Sequence, residues 1–167
     1  MSTTAEITTK AAEILDLARA QGLWLTTAES CTGGLIVAAL TEIAGSSDVF
    51  DCGYVTYSNR AKQRLLAVTA DSLARFGAVS EQVAQQMAEG ALRDSGADLA
   101  VSVTGIAGPG GSEAKPEGRV CFGLAAKSRP TRVETVEFGA IGRSKVRQQT
   151  VLHAFDLLLA DLRANRT

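Results

Sequence analysis

LWLTTAESCTGG, residues 23–34, is the stretch whose reading decides the fold. Leu23, Trp24 and Leu25 make an apolar, β-prone start that empties into small hydroxyl and acidic residues, Thr26-Thr27-Ala28-Glu29-Ser30-Cys31-Thr32. Gly33 and Gly34 then lead directly into Leu35-Ile36-Val37-Ala38-Ala39-Leu40, a helical run. This is strand, tight turn and helix, with the free N–H groups of the helix start aimed into the turn, so a hydroxyl or an anion belongs there.

Upstream, Ile7, Ala11, Ile14, Leu15 and Ala18 recur at helical spacing, and Gly22 closes that helix. Downstream, the helix from about Gly33 to Ile43 is apolar nearly all round and is expected to be buried. Val49–Tyr57 reads as a second strand, with Gly53 marking a bulge or a close backbone approach. Ser58 or Asn59 caps a short helix through Lys62 to Leu66, and another short helix near Asp71–Arg75 stops at Gly77. Ser80 caps a longer helix carried by Val83, Met87, Ala91 and Leu92. Ala97–Thr104 is a third strand, followed by a glycine-rich loop from Gly105 that is long for a compact domain. Strands at Arg119–Ala126 and Arg132–Phe138 pair antiparallel across Ser128-Arg129-Pro130, and a helix runs from Arg143 to Arg163. This order predicts an α/β fold with helices on both faces of a mixed, mostly parallel sheet, and one domain over residues 1–167.

The totals restrict function. A chain of 167 residues buries roughly 70% of its unfolded surface without a disulfide or metal staple. A formal net charge of −1 leaves no electrostatic footprint for nucleic acid or an acidic membrane. No apolar span marks a membrane segment, and Cys31, Cys52 and Cys121 lack CxxC spacing, so a cytoplasmic protein with reduced thiols is expected. The single histidine, His153, lies among core-type leucines, which argues against a His triad or a zinc set and for no metal. The run Gly105–Gly111 lacks dinucleotide spacing and no glycine stretch carries a Walker lysine, so no ATP or NAD cofactor is expected.

In an open α/β sheet ligands bind beyond the carboxyl ends of parallel strands, here AESCTGG, SNRAK and TGIAGPGGSEAKP. If the first and third strands are parallel neighbours, their two hydroxyl-and-glycine loops face one crevice. Cys31 at a helix N-terminus would have a lowered pKa, but no histidine stands near to activate it. Lys62, if desolvated, becomes a general base for a serine, with Ser30 and Ser47 as candidates. Glu29 is a site carboxylate or a cap. Arg143 and Arg147, one turn apart at the start of the last helix, form either a solvated basic face or a phosphate clamp.

The segments TAESCTGG, AGSSDVFDCGYVTYSNRAK, GAVSEQVAQQMAEGA and SVTGIAGPGGSEAKPEGRV, continued by GRSKVRQQTV, closely resemble the C-terminal domain of the competence/damage-inducible CinA family, which includes the stand-alone PncC nicotinamide-nucleotide amidases. The resemblance implies a three-layer α/β/α sandwich and hydrolysis of the carboxamide of nicotinamide mononucleotide, a small-molecule nucleotide, to nicotinate mononucleotide and ammonia. It further implies a metal-independent Ser/Lys mechanism and a homodimer. Carried over by motif, it picks out Ser30, Ser47, Tyr57, Lys62, Thr104, Arg143 and Arg147, although many relatives have Asp where Gly142 stands.

On these grounds Lys62 is expected to deprotonate Ser47, with Tyr57 or the same lysine protonating the leaving ammonia. Ser30 and Thr104 and the N–H groups of the glycine loops would hold the oxyanion. Glu29, Thr32, Gly33, Gly34, Thr104 and Gly105 are expected to line the substrate, Glu29 offsetting the cationic ring and Arg143 or Arg147 taking the phosphate. A cationic ring beside Lys62 would push the lysine pKa down further. The rival readings are a non-catalytic nucleotide-binding accessory module linked to competence or DNA damage, and a hydrolase of another amide or of a phosphate ester.

Overall fold

Strand alternation organises the molecule. The computed structural model describes residues 1–112 and 114–165. Its elements, in chain order, are α1 (Thr3–Gln21), β1 (Leu25–Glu29), α2 (Leu35–Thr41), a 3₁₀ turn (Ser46–Asp48), β2 (Phe50–Val55), α3 (Asn59–Leu66), α4 (Ala70–Phe76), α5 (Glu81–Ser95), β3 (Leu99–Gly105), β4 (Arg119–Ala126), β5 (Arg129–Glu137) and α6 (Arg143–Ala164). The sheet order is β2-β1-β3-β4-β5. β1 runs parallel to both β2 and β3, while β4 and β5 add antiparallel pairings. The expected α/β/α layering and mixed sheet are found.

Successive strand side chains point to opposite faces. Leu25 of β1, Leu99, Val101 and Val103 of β3 and Val120, Phe122 and Leu124 of β4 share one hydrophobic cluster with α1, α2 and α6. Ala28, Ala100 and Ala125 face the other way, onto Leu66 of α3 and Val83, Met87, Ala88 and Ala91 of α5. That second face is small and hydroxylated, so α5 approaches the sheet closely. Ser102 Oγ donates to the carbonyl of Ala84 at 2.6 Å, and a Cβ on Gly123 would stand 2.6 Å from the same oxygen.

Gly53 behaves as expected. β2 carries one more residue than β1 between the pairs Leu25–Phe50 and Thr27–Gly53, a bulge. A Cβ on Gly53 would come within 2.4 Å of Val37 Cγ2 and 2.6 Å of Thr27 Oγ1. Two expectations are corrected. α2 is not buried all round, since Ile36 and Leu40 are buried but Leu35 and Ala38 face solvent, because only one side of this helix meets the sheet. The β4–β5 turn is tighter than expected: Arg129 and Pro130 belong to β5, and Ser128 takes the left-handed conformation the turn requires, with φ 67°.

Candidate active site

The carboxyl ends of β1, β2 and β3 meet at one end of the sheet. Glu29 pairs with Val55 on one side and Val103 on the other, so Ser30, Tyr57 and Thr104–Gly105 emerge together. Alternation then separates two neighbours. Glu29 follows Leu25 and Thr27 toward α2, whereas Ser30 follows Thr26 and Ala28 toward α3.

On the α2 side, the fully buried Glu29 carboxylate fills the helix N-terminus. Its Oε1 accepts from Thr32 Oγ1 at 2.6 Å, Ile36 N at 2.9 Å and Gly34 N at 3.2 Å, and its Oε2 accepts from Val37 N at 3.0 Å. The anion that belongs in the turn is thus supplied by the chain itself. Gly33 N donates to Ser30 O at 3.0 Å, and Gly34 adopts φ 106°, a conformation that favours glycine. Glu29, Thr32, Gly33 and Gly34 therefore build the turn through these bonds.

On the α3 side stands Lys62. Ser58 Oγ caps α3 by accepting from Ala61 N at 3.0 Å, and the buried stripe of this otherwise polar helix consists of Lys62 and Leu66. Lys62 is 1% exposed. Its Nζ donates to Ser30 Oγ at 2.8 Å, Thr56 O at 2.8 Å and Tyr57 O at 3.3 Å. Burial lowers its pKa from the ordinary 10.5 to about 8, because the charged amine has lost its water. In the neutral amine, the Thr56 and Tyr57 carbonyls accept the two remaining hydrogens, and the lone pair faces the Ser30 hydroxyl. The fold therefore holds a serine and a lysine in nucleophile–base geometry.

Ser47 does not join them. It is exposed in the 3₁₀ turn before β2, and Lys62 follows β2, so the six residues of that strand put about 20 Å between them. The expected Ser47–Lys62 partnership is corrected to Ser30–Lys62. Cys31, on the cleft wall, is also corrected: burial pushes its thiol up to about 11, and Glu29 has already taken the helix N–H groups that would have stabilised a thiolate.

Ser30 and Lys62 open into a chamber of about 180 Å³ that also touches Tyr57, Thr104 and Arg143. This chamber continues into a cleft of about 350 Å³ along Gly105–Ser112, with Lys115 and Arg143 on its walls. Thr104 Oγ1 donates to Ala78 O at 2.9 Å, so its proton is spent on the cleft wall and not on an oxyanion. Gly105 closes β3, where a Cβ would stand 2.6 Å from Val120 Cγ2. The exposed Tyr57 accepts from Arg143 Nη2 at 3.1 Å, and Arg143 Nη1 donates to Gly108 O at 2.7 Å. Arg147 instead donates to Cys31 O at 3.1 Å and Thr32 O at 3.0 Å.

Sequence reasoning missed two contributors. Lys115 straps the long loop to the α4–α5 connection by donating to Phe76 O at 2.5 Å and Val79 O at 2.6 Å. Gly90 lets α3 sit against α5, since a Cβ there would lie 2.1 Å from Leu66 O. A mid-helix glycine between Met87 and Ala91 was the available signal for that close approach.

A parallel-strand crevice that sets a desolvated lysine against a serine hydroxyl at the carboxyl end of the sheet defines an α/β protein with an open cleft at that end. Residues 7–162 match the family described as the CinA C-terminal domain, and the chain belongs to that family. It is 51% identical over 148 residues to the "Nicotinamide-nucleotide amidohydrolase PncC" of Enterobacter agglomerans, covering 88% of this chain and 90% of that one. It is 46% identical to a "Putative competence-damage inducible protein" of Caldicellulosiruptor saccharolyticus over 87% of this chain, and spans 35% of that longer relative. The crystal structure of the competence/damage inducible protein CihA from Agrobacterium tumefaciens superposes with a TM-score of 0.90 at 50% identity, covering 95% of this chain and 96% of that one.

Proposed function

We propose that this chain hydrolyses the carboxamide of nicotinamide mononucleotide to nicotinate mononucleotide and ammonia, with Ser30 as nucleophile and Lys62 as base. The observation that carries the reading is the 2.8 Å contact between Lys62 Nζ and Ser30 Oγ at the floor of an open cleft. The activity named for the relative from Enterobacter agglomerans supplies the substrate.

Neutral Lys62 takes the Ser30 proton as Ser30 Oγ forms a bond to the carboxamide carbon. The N–H of Cys31, next in the chain and on the chamber wall, is the available donor to the oxyanion. Collapse breaks the C–N bond, and the Lys62 ammonium returns its proton to the leaving nitrogen, releasing ammonia. Lys62 then deprotonates a water that attacks the acyl carbon, and the Ser30 oxygen leaves with that proton. Tyr57 flanks the ring. The phosphate extends toward Arg143 and the glycine loop, where Lys115 adds a second positive charge. Ser47 lies too far from this chemistry to take part.

Three free cysteines suit a reducing, cytoplasmic setting, and no helix among the described residues is long and apolar enough to cross a membrane. The homodimer implied by the family resemblance belongs to the same proposal and is read by light scattering.

A coupled ammonia assay with nicotinamide mononucleotide, nicotinamide and glutamine tests the function. Release from the mononucleotide alone, with acyl-enzyme trapped on Ser30, is the expected result. Ligand binding without ammonia release, together with tolerance of Lys62→Ala, would overturn it in favour of an accessory binding module. Release from glutamine alone would place the chain among hydrolases of other amides.

A further inference from the structure

Arg147 is a candidate phosphate ligand by sequence, yet it stands behind the nucleophile turn and not in the cleft. Arg143 lines both parts of the cleft, and Arg147 lines neither. Its guanidinium lies against Gly33, where a Cβ would be 3.5 Å from Nη2.

The hydrogen bonds of the turn show what it does there. Ser30 N donates to Val103 O at 3.1 Å, Gly33 N to Ser30 O at 3.0 Å and Leu35 N to Thr32 O at 3.2 Å, while Glu29 holds the N–H groups of Gly34, Ile36 and Val37. Only the N–H groups of Cys31 and Thr32 find no oxygen acceptor among the described residues. Arg147 Nε and Nη2 bind the carbonyls of these same two residues. In a trans peptide the C=O and N–H point in opposite directions, so gripping the Cys31 carbonyl also fixes the Thr32 N–H. A planar guanidinium presents its donors in a fixed fork, so it holds these two successive carbonyls in one geometry. Val146, one residue earlier, is fully buried in the core, so α6 brings the guanidinium in on a rigid support.

We infer that Arg147 is a positioning residue, which holds the Cys31 and Thr32 carbonyls so that the turn keeps Ser30 Oγ in line with Lys62 Nζ. Glu29 fixes the helix side of the turn and Arg147 fixes the opposite side. The inference rests on the Ser30 nucleophile proposed above, and its test separates the two.

The experiment compares wild type, Arg147→Gln, Arg147→Lys, Arg143→Gln and Ser30→Ala. One arm measures the labelling rate of Ser30 by a phosphonofluoridate, which needs no nicotinamide substrate. The other measures kcat and KM with nicotinamide mononucleotide and with its phosphate-free riboside. Arg147→Gln is expected to slow labelling and kcat by about 10- to 100-fold, alike for both substrates, as a misplacement of about 1 Å does. The labelling endpoint stays at one per folded chain and the pH limb of Lys62 is unmoved. Arg147→Lys restores part of the rate, and Arg143→Gln raises KM for the mononucleotide only. An Arg147→Gln loss confined to KM for the phosphorylated substrate overturns the inference, since Arg147 would then hold phosphate. Wild-type labelling rates in Arg147→Gln, or a lowered endpoint at unchanged rate, overturn it too, as does wild-type labelling no faster than Ser30→Ala. Normal labelling effects without turnover of either nicotinamide substrate leave the positioning role intact and refute the substrate assignment alone.

Discussion

Replacing Lys62 by methionine should abolish a specific pH dependence of stability. The lysine is 1% exposed and its pKa falls from 10.5 to about 8 on folding. The folded state therefore gives up this proton first, and between the two values the unfolded chain binds more protons, so stability rises with pH. The difference of 2.5 units corresponds to about 3 kcal/mol in full, of which about 2.5 kcal/mol is recovered between pH 7 and pH 10. Urea unfolding of wild type and Lys62→Met at both pH values isolates the term, because every other group titrates in both proteins. The wild type should gain about 2.5 kcal/mol relative to the variant on going to pH 10. Loss of bonds to Thr56 and Tyr57 carbonyls shifts the variant equally at both pH values and cancels. A difference between the two proteins that stays constant within 1 kcal/mol would refute the argument, since Lys62 would then keep an ordinary pKa and could not serve as a base near neutrality.

In steady-state kinetics, kcat/KM should climb with pH and level off above about 8 as Lys62 loses its proton, while the corresponding limb of kcat lies lower because the cationic ring disfavours the ammonium; a kcat limb equal to or above that of kcat/KM refutes the second part. Ammonia release should fall more than 1,000-fold in Ser30→Ala and stay within about twofold in Ser47→Ala, and the reverse result would reinstate Ser47. Glu29→Gln leaves the start of α2 without its charged acceptor and is expected to cost about 2–4 kcal/mol in chemical denaturation. Gly90→Ala drives a methyl into Leu66 O, so α3 must shift; about 2 kcal/mol of stability and a reduced Ser30 labelling rate are expected, and a wild-type rate would show that α3 placement does not govern the dyad.

Much of this was legible in the chain. Apolar spacing and caps placed every helix and strand, because Ser58, Ser80, Gly22 and Gly96 punctuate the elements as their chemistry requires. The alternation Leu25, Thr27, Glu29 against Thr26, Ala28, Ser30 already carried the site, since it sends the carboxylate and the hydroxyl to opposite faces of the sheet. The lysine at the position four before Leu66 lies on the one apolar stripe of its helix, which marks it as buried. The family pattern that groups Ser47 with Tyr57 and Lys62 is what points to Ser47. Ser47 and Lys62 fall in one motif-rich segment, but a parallel strand between them carries the chain from one end of the sheet to the other. Spacing likewise puts two arginines on one helix face, and only the packing of α6 decides that Arg143 meets the cleft and Arg147 the turn.

The buried carboxylate at the start of α2 also explains where negative charge on a ligand must go. A helix N-terminus beside a reactive serine is ordinarily the strongest anion site available, yet here Glu29 occupies it with both oxygens. Burial keeps Cys31 a neutral thiol, with the Glu29 charge a lesser contribution in the same direction, and Ser30 Oγ is the hydroxyl that meets Lys62. With no carboxylate among the described residues lining the cleft, its charged groups are Lys62, Lys115 and Arg143. Lys62 must be neutral to act, so the positive field that remains lies along the glycine loop, displaced from the reacting carbon. A substrate with a cationic ring and an anionic tail matches that gradient in one orientation only: the ring enters the chamber where the base must lose its proton, and the tail stays outside with Arg143 and Lys115. On the function proposed above, the chain's own anion leaves the reactive end of the cleft to a cation and would set the direction in which the nucleotide binds.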